Sequence, residues 1–324
     1  MAENKIVTQS KITLSRNVKG YPFPLSSRDN DASTIISSVY EAVSRNGNFD
    51  LYRISQISEQ KKRSLSARGL ITDLLLSTPT GGAIISADKS VSVMVNEEDH
   101  VVEQCFVKGF NLDLAYEKLD AIDDLICAKN DICFHEKLGY LTSAPASVGT
   151  GMHATVTVFL PALSLTKNIQ RCVSAVSSLG ITMRATEGDE TGYYYELSNQ
   201  KTLGLTEKEI IDLVKTATSH VEGAEQEARS LLKISSEVEI RDKAMRSLGI
   251  LKSAYRLTEG ETASLASWVK IGVSYGWLNV DEEKLDDLTV KFSDAVMTEE
   301  CGVDFATPVD RDIYRAEAVK AELN

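Results

Sequence analysis

The sequence predicts an α+β protein. A mixed body of antiparallel strands flanked by helices spans residues 1–234, and an all-helical module follows over 235–324. Three observations carry this. Short alternating runs that read as strands are interleaved with amphipathic stretches through the first two thirds of the chain. Strand signals then stop near Ser235, and every later stretch has helical spacing. The 324 residues suffice for one large domain or two ordinary ones.

In chain order, "ASTIISSVYEAVSR" (Ala32–Arg45) has apolar residues three and four apart and reads as an amphipathic helix. "GGAIISADKSVSVMVNEEDH" (Gly81–His100) reads as two strands joined by a turn at "ADKS", the second supported by the alternation in "VSVMV". "NLDLAYEKLDAIDDLICAKN" (Asn111–Asn130) is a helix with an acidic outer face. "ATVTVFLPAL" is a strand stopped near Pro161, and "KNIQRCVSAVSSLG" is a helix ended by Gly180. "ITMRATE" and "YYYELSN" form an antiparallel pair around the loop "EGDETG". A long helix opens at Thr206, where Thr206 and Glu209 have capping-box spacing; Thr258 and Glu261 repeat that spacing in the helical module. That module reads as "EVEIRDKAMRSLGIL", "TEGETASLASWVKIGVSYG", "DEEKLDDLTVKFSDAV" and "DRDIYRAEAVKAEL".

Composition narrows the function classes. Hydrophobic residues make up 43% and charged residues 25%, as in ordinary globular proteins. The net charge of −12 disfavours nonspecific binding to nucleic acid or to an anionic membrane. No apolar run is long enough to span a bilayer, and "MAENKIVTQSK" lacks the apolar core of a secretory signal. Five cysteines without a CxxC pair are expected to be reduced thiols in a cytoplasmic protein. Four histidines without metal-ligand spacing predict no metal site.

Four short stretches could carry chemistry. "NEEDH" (Asn96–His100) is either a solvated acidic turn or a carboxylate cluster, with one member raised in pKa to act as a base or paired with a guanidinium. "EGDETG" adds Glu187, Asp189 and Glu190 as a surface turn or a second guanidinium contact. In "RDIYRA", Arg311 and Arg315 are four apart on one helix face, and either salt bridges or a phosphate between them would offset their repulsion. "GTG" (Gly149–Gly151) is followed by no GKS or GKT, so it is not a P-loop; His153 after it is a bystander or a base.

Taken in order, "NEEDH", "GYLTSAPASVGTGMHATV", "FLPAL", "ELSNQKTLGLTEKEII" and "RDIYRA" resemble the bacterial protein-arginine kinases of the ATP:guanidino phosphotransferase (phosphagen kinase) family, from about Ile6 to the end. The resemblance implies a phosphagen-kinase-like catalytic domain over 1–234 and a helical domain over 235–324 used for dimerisation and phosphoarginine binding. It implies transfer of the ATP γ-phosphoryl group to an arginine side chain of a protein, a mark that directs proteins to a Clp-type protease. Glu98 matches the family's catalytic base, and Glu187 stands for its second glutamate. Arg311, Asp312 and Arg315 match the RDxxRA motif, which the resemblance assigns to a phosphoarginine pocket.

The departures concern the nucleotide. The family's S-S-R-x-R-x-x-R-N is here "QSKITLSRN", with Lys11 and Thr13 at the first two arginines and Arg16 at the third. Val102 stands where an arginine follows "NEEDH", and Met152 and His153 stand where leucine and arginine follow "GTG". Arg184 is in register, and Ala144 replaces the cysteine of "TSCP". Lys11, Arg16, His153 and Arg184 are therefore the candidate nucleotide-binding remnants.

Losing several electrostatic donors from a phosphoryl-transfer site impairs both binding and turnover. The sequence thus predicts a pseudokinase: a phosphoarginine-binding regulator or adaptor in Clp-protease-linked quality control. The alternative is an active protein-arginine kinase using MgATP, and a third reading is a structural partner without a ligand. The expected partners are phosphoarginine or arginine-phosphorylated proteins, an active protein-arginine kinase or a Clp-type chaperone or protease, and a second subunit in a homo- or heterodimer. Nucleic acid and membrane are not expected.

Overall fold

In a computed structural model, residues 6–24, 29–186, 191–302 and 305–323 are described. The chain begins with β1 (Val7–Arg16), where apolar Val7, Ile12 and Leu14 share the strand with polar neighbours that point the other way. Then come α1 (Asp29–Val43), β2 (Phe49–Arg53), α2 (Glu59–Ala67), α3 (Asp73–Leu76), β3 (Gly82–Ser86), β4 (Val91–Val95) and β5 (Val101–Lys108). α4 (Leu112–Lys129), the two-residue pair β6 (Phe134–His135) and β7 (Gly139–Tyr140), β8 (Met152–Phe159), α5 (Pro161–Leu165), α6 (Ile169–Ser178), β9 (Ile181–Ala185) and β10 (Tyr194–Asn199) complete the body. Eight strands form one antiparallel sheet in the order β2-β3-β4-β5-β1-β8-β10-β9.

The predicted pairs are present. The "ADKS" turn joins β3 to β4, with Asp88 accepting from the Ser90 N–H and both neighbouring serine hydroxyls. β9 and β10 pair around the loop that contains Glu187. The central strands β1 and β5, the edge strand β2 and the helices α2 and α3 were not expected from the sequence.

One face of the sheet is buried. Ile12 and Leu14, Val93 and Val95, Val101 and Cys105, and Met152 through Val158 in alternation pack under α1, α4 and α6. The first half of the long helix α7 (Glu207–Ser253) completes that layer with Ile210, Val214, Ala217 and Val221. Each fully buried aliphatic side chain contributes about 1.5–3 kcal/mol, which makes this layer the main stabilising element of the body. On the other face, α2 and α3 cover the β3–β4 end through Leu65, Leu70, Leu75, Ala83, Ile85 and Met94. The β1–β8–β10–β9 half of that face is left largely uncovered, and the site residues stand there.

The Thr206 capping box forms in both directions, and the Thr258 hydroxyl accepts from the Glu261 N–H. α7 is continuous through Ser253 except at Ser236, whose φ of −146° and ψ of 28° break the helical path. α8 (Glu259–Ser274), α9 (Glu282–Lys291), α10 (Asp294–Cys301) and α11 (Pro308–Leu323) follow. The stretch "DEEKLDDLTVKFSDAV" is two helices, because the Ser293 hydroxyl accepts from the Val296 N–H and starts a new one. Leu251, Leu257, Val269, Leu285, Leu288, Ala316 and Val319 form the core of this module. It meets the sheet at Phe159, where Tyr193, Tyr194, Trp268 and the buried Lys270 converge. It also reaches α2 through Lys61–Glu299 and Arg68–Glu300. No helix among the described residues is long and apolar enough to cross a membrane.

Candidate active site

Strand parity assigns each candidate to a face. On β1, Ile12, Leu14 and Arg16 point to the helix-covered face, and Lys11, Thr13 and Ser15 to the other. The register places Thr13 beside His153, Ser15 beside Val102, and Glu196 beside Arg184. Lys11, Thr13, His153, Arg184 and Glu196 therefore share the open face, and Val102 is buried beside it under α2 and α3.

Arg16 does not. It is 3% exposed. Its Nε donates to Asp123 Oδ1 at 3.0 Å, and its Nη2 donates to Asp123 Oδ2 at 2.7 Å. Nη1 donates to the carbonyls of Ser15 and Thr150, and the guanidinium lies 3.6 Å from the centre of the Tyr140 ring. Arg16, expected at the nucleotide, ties β1 to α4 and to the "GTG" turn. The fully buried Glu103 lies nearby, and burial and the Asp123 charge hold its carboxyl well above the usual range.

The "NEEDH" turn is mostly scaffold. Asn96 adopts the left-handed conformation (φ 59°) that asparagine tolerates, and its Nδ2 donates to the Ala32 carbonyl. Glu97 accepts from the Thr72 hydroxyl at 2.5 Å. The buried Asp99 accepts from Asn17 Nδ2 and from the Ser143 N–H, both at 2.6 Å. His100 Nδ1 accepts from the Val18 N–H, so Nε2 carries the proton given to the Pro22 carbonyl. Burial holds the His100 pKa below its ordinary value. Glu98 is the exposed member, and its carbonyl is held by the Ser143 hydroxyl at 2.8 Å. Partial burial, with Asp99 and Glu97 nearby, raises its carboxyl above the ordinary range, as suits a group that takes up a proton.

The "GTG" turn is fixed by packing. A Cβ on Gly149 would meet the Thr202 carbonyl at 2.5 Å, and one on Gly151 would meet the Ser15 carbonyl at 2.6 Å. Both residues also have positive φ, so glycine is required on two counts. This turn delivers His153 to the open face, where its Nε2 lies 3.1 Å from Ser147 Oγ. Burial, with the positive charges of Lys11 and Arg184, keeps the His153 ring neutral by lowering its pKa. Arg184 is well exposed, and its Nη2 lies 3.6 Å from Glu196. Ala144 supplies a carbonyl that accepts from the Thr142 hydroxyl. The five cysteines are unpaired, and burial pushes Cys105 to about 11 and Cys127 to about 12. Glu187, Asp189 and Glu190 lie outside the described residues.

On α11, Arg315 is fully buried. Its Nε donates to the Phe292 carbonyl at 2.7 Å, and its Nη1 donates to the Leu257 carbonyl at 2.8 Å and to Asp312 at 2.9 Å. Its Nη2 pairs with Asp294. Arg315, which the resemblance assigns to a phosphoarginine pocket, ties the middle of α11 to the start of α10 and to the Leu257 carbonyl. Arg311 shares Asp294, at 2.5 Å, but is 28% exposed. Arg311 is the more exposed member of this motif, and Asp312 is turned toward Arg315. The described residues hold no cluster of three or more metal-ligating side chains.

Thr13 and His153 line the face, with Lys11 and Arg184 as its cations and Glu196 facing Arg184, and the β4–β5 turn carries Glu98. Sequence reasoning missed Ser147 and Glu196. The alternation of "YYYELSN" signals Glu196, but nothing local signals Ser147. The eight-stranded antiparallel sheet, flanked by helices and followed by a helical module, is the fold of the guanidino phosphotransferase class. The chain belongs to the ATP:guanido phosphotransferase family: residues 31–228 match the model of its C-terminal catalytic domain. Residues 237–324 match that of the protein-arginine kinase McsB C-terminal domain.

Among similar proteins, those named protein-arginine kinase from Halothermothrix orenii and Caldanaerobacter subterraneus are each 37% identical to 99% of this chain. The matches cover 94% and 98% of those relatives. The structure of a lombricine kinase superposes with a TM-score of 0.60 at 22% identity, over 69% of this chain and 67% of that one, which shows the shared fold.

Proposed function

We propose that this protein works on arginine side chains of proteins with a guanidino-kinase site, and that its phosphoryl transfer from ATP is slow. The names of its full-length relatives support the protein-arginine kinase reading. Glu98 supports it too, as an exposed carboxylate of raised pKa held by a rigid turn, fit to receive the guanidinium proton. MgATP is the co-substrate this reading requires. This reading assigns its phosphates to Lys11 and Arg184, and Glu196 offsets one of them.

One observation favours the stronger form, a pseudokinase regulator. The open face shows Thr13 and a neutral His153 at two positions where the resemblance places arginine, Val102 at a third is buried in an apolar cluster, and Arg16 is consumed in the interior. One missing electrostatic donor in such a site costs about 2.7–4 kcal/mol in the transition state. In this form the protein reads phosphoarginine at Arg311 and Asp312, partnered with a Clp-type protease system or an active kinase. The division at 234/235, dimerisation through the helical domain and a cytoplasmic location belong to the same proposal.

Incubation of the full chain with labelled MgATP and an arginine-rich protein tests the kinase reading. Slow, acid-labile label on arginine is expected, and turnover at the rate of an ordinary kinase would contradict the depleted-site reading. Calorimetry with free phosphoarginine tests the regulatory form, which requires binding that Arg311→Ala abolishes. Binding unchanged in that variant would overturn it.

A further inference from the structure

Two residues on the open face form an arrangement that neither reading uses. Ser147 ends a short 3-10 turn (Pro145–Ser147), and its Oγ lies 3.1 Å from His153 Nε2. In the tautomer with the ring proton on Nδ1, Nε2 is bare to accept the Ser147 hydroxyl proton. A hydroxyl within 2.6–3.2 Å of such a base has the reach of an activated nucleophile.

The surroundings fit a phosphoryl group. Both side chains are half-buried and reachable from the open face. Lys11 and Arg184 are close enough for their charges to act on the ring. They stand where the charge of an incoming phosphoryl group would fall. The ring is neutral, which is the form a base needs. The turn that presents Ser147 is fixed by the Ala144 carbonyl accepting from the Ser147 N–H at 3.0 Å, and His153 is fixed in β8 beside Thr13.

We infer that Ser147, with His153 as its base, is a phosphoryl acceptor: it takes a terminal phosphoryl group from a small donor on the open face and becomes phosphoserine. The Ser147 Oγ–P bond forms as the bond from phosphorus to the leaving atom breaks, and the Oγ proton passes to His153 Nε2. With ATP, the electron pair leaves on the β-phosphate oxygen of ADP, and His153 later returns its proton to water. With phosphoarginine, the pair stays on the guanidine nitrogen, which takes the proton from His153. The inference rests on the reading of this face as one that handles phosphoryl groups. It goes beyond that reading in placing the acceptor on the protein itself.

The two reactions leave chemically different products. A P–N bond to arginine is acid-labile, and a P–O bond to serine is acid-stable. The full chain is incubated separately with labelled MgATP and with labelled phosphoarginine, and each sample is divided between neutral and acid quench. Mapping of the unaltered chain by mass spectrometry locates the label. Acid-stable label on Ser147 with either donor is expected, and the arm that gives it identifies the donor.

The label should disappear in Ser147→Ala. In His153→Gln its rate should fall about 100-fold, together with the dependence on a group titrating below the ordinary histidine range. Acid-labile label on arginine alone would overturn this inference and leave the kinase reading standing. Acid-stable label on Ser147 alone would do the reverse. Absence of acid-stable label with both donors, or its placement on another residue, overturns it. The mapping uses the unaltered chain, so misfolding of a variant does not blunt the test.

Discussion

Arg16 on β1 and Arg184 on β9 belong to the same sheet but leave it by opposite faces, with side chains 3% and 74% exposed. The first spends its donors on Asp123 and two carbonyls; the second meets Glu196 in solvent. Arg315 and Arg311 repeat the contrast four residues apart on one helix. An arginine of a recognised pattern is thus a ligand contact or a structural tie according to the parity of its strand or the turn of its helix. In this protein Arg16 and Arg315 tie elements of the fold together, and Arg184 stands in solvent opposite Glu196.

The contrast breaks most sharply if the buried arginines are removed. Arg16→Ala leaves Asp123 buried without its cation, and about 3–5 kcal/mol of stability should be lost in chemical denaturation. Arg184→Ala should change stability by no more than about 0.5 kcal/mol. Equal effects of the two would erase the distinction between the faces.

A second effect concerns Glu103. Its carboxyl is raised by burial, then by Asp123, with Asp120 adding to this and Arg16 opposing it. A carboxyl raised in the folded state lends stability that is complete below its unfolded pKa and is lost as pH rises toward the folded value. Glu103→Gln should therefore gain on the parent chain by up to about 1.4 kcal/mol per pH unit above the ordinary carboxylate range. The gain should vanish near pH 3, and parallel pH profiles of Tm would contradict it.

A smaller effect tests the open face from the ligand side. Thermal shift with MgADP should be slight in the parent chain and larger in Thr13→Arg, because only a ligand that binds the native state raises Tm. An unchanged shift would mean that Thr13 is not placed at the phosphates. The smallest expected change is at a helix end: Thr206→Ala should cost about 1 kcal/mol by removing the cap of α7.

Much of the fold is legible in the chain. "VSVMV" alternates cleanly, and Thr206 with Glu209 announces a helix that the structure caps at that residue. The central strand β1 is not legible in the same way. Its outer residues Lys11, Thr13 and Ser15 are polar because they line the open face, so the apolar signal is reduced to Ile12 and Leu14. β5 is obscured because Glu103 and Gln104 interrupt its apolar run, although both are buried.

Among site residues, Glu98 is readable from its pentamer. The roles of Asp99 and His100 as ties to Asn17 and Pro22 need the loop that brings positions about 80 apart together. The burial of Arg16 and Arg315 was hidden for the same reason: their partners Asp123 and Asp294 are distant in sequence. Charge and spacing name an arginine, but the element packed against it decides what it binds.

The central claim is that too little charge on the open face, and no defect of the scaffold, limits phosphoryl transfer. The measurement that tests it most directly is the single-turnover rate of γ-phosphoryl transfer to a protein arginine, in the parent chain and in Thr13→Arg combined with His153→Arg. The account predicts a parent rate far below the roughly 1–100 s⁻¹ of ordinary kinases and a rise of at least about 100-fold in the double variant. A parent rate already within that range, and unchanged by the added arginines, would contradict it.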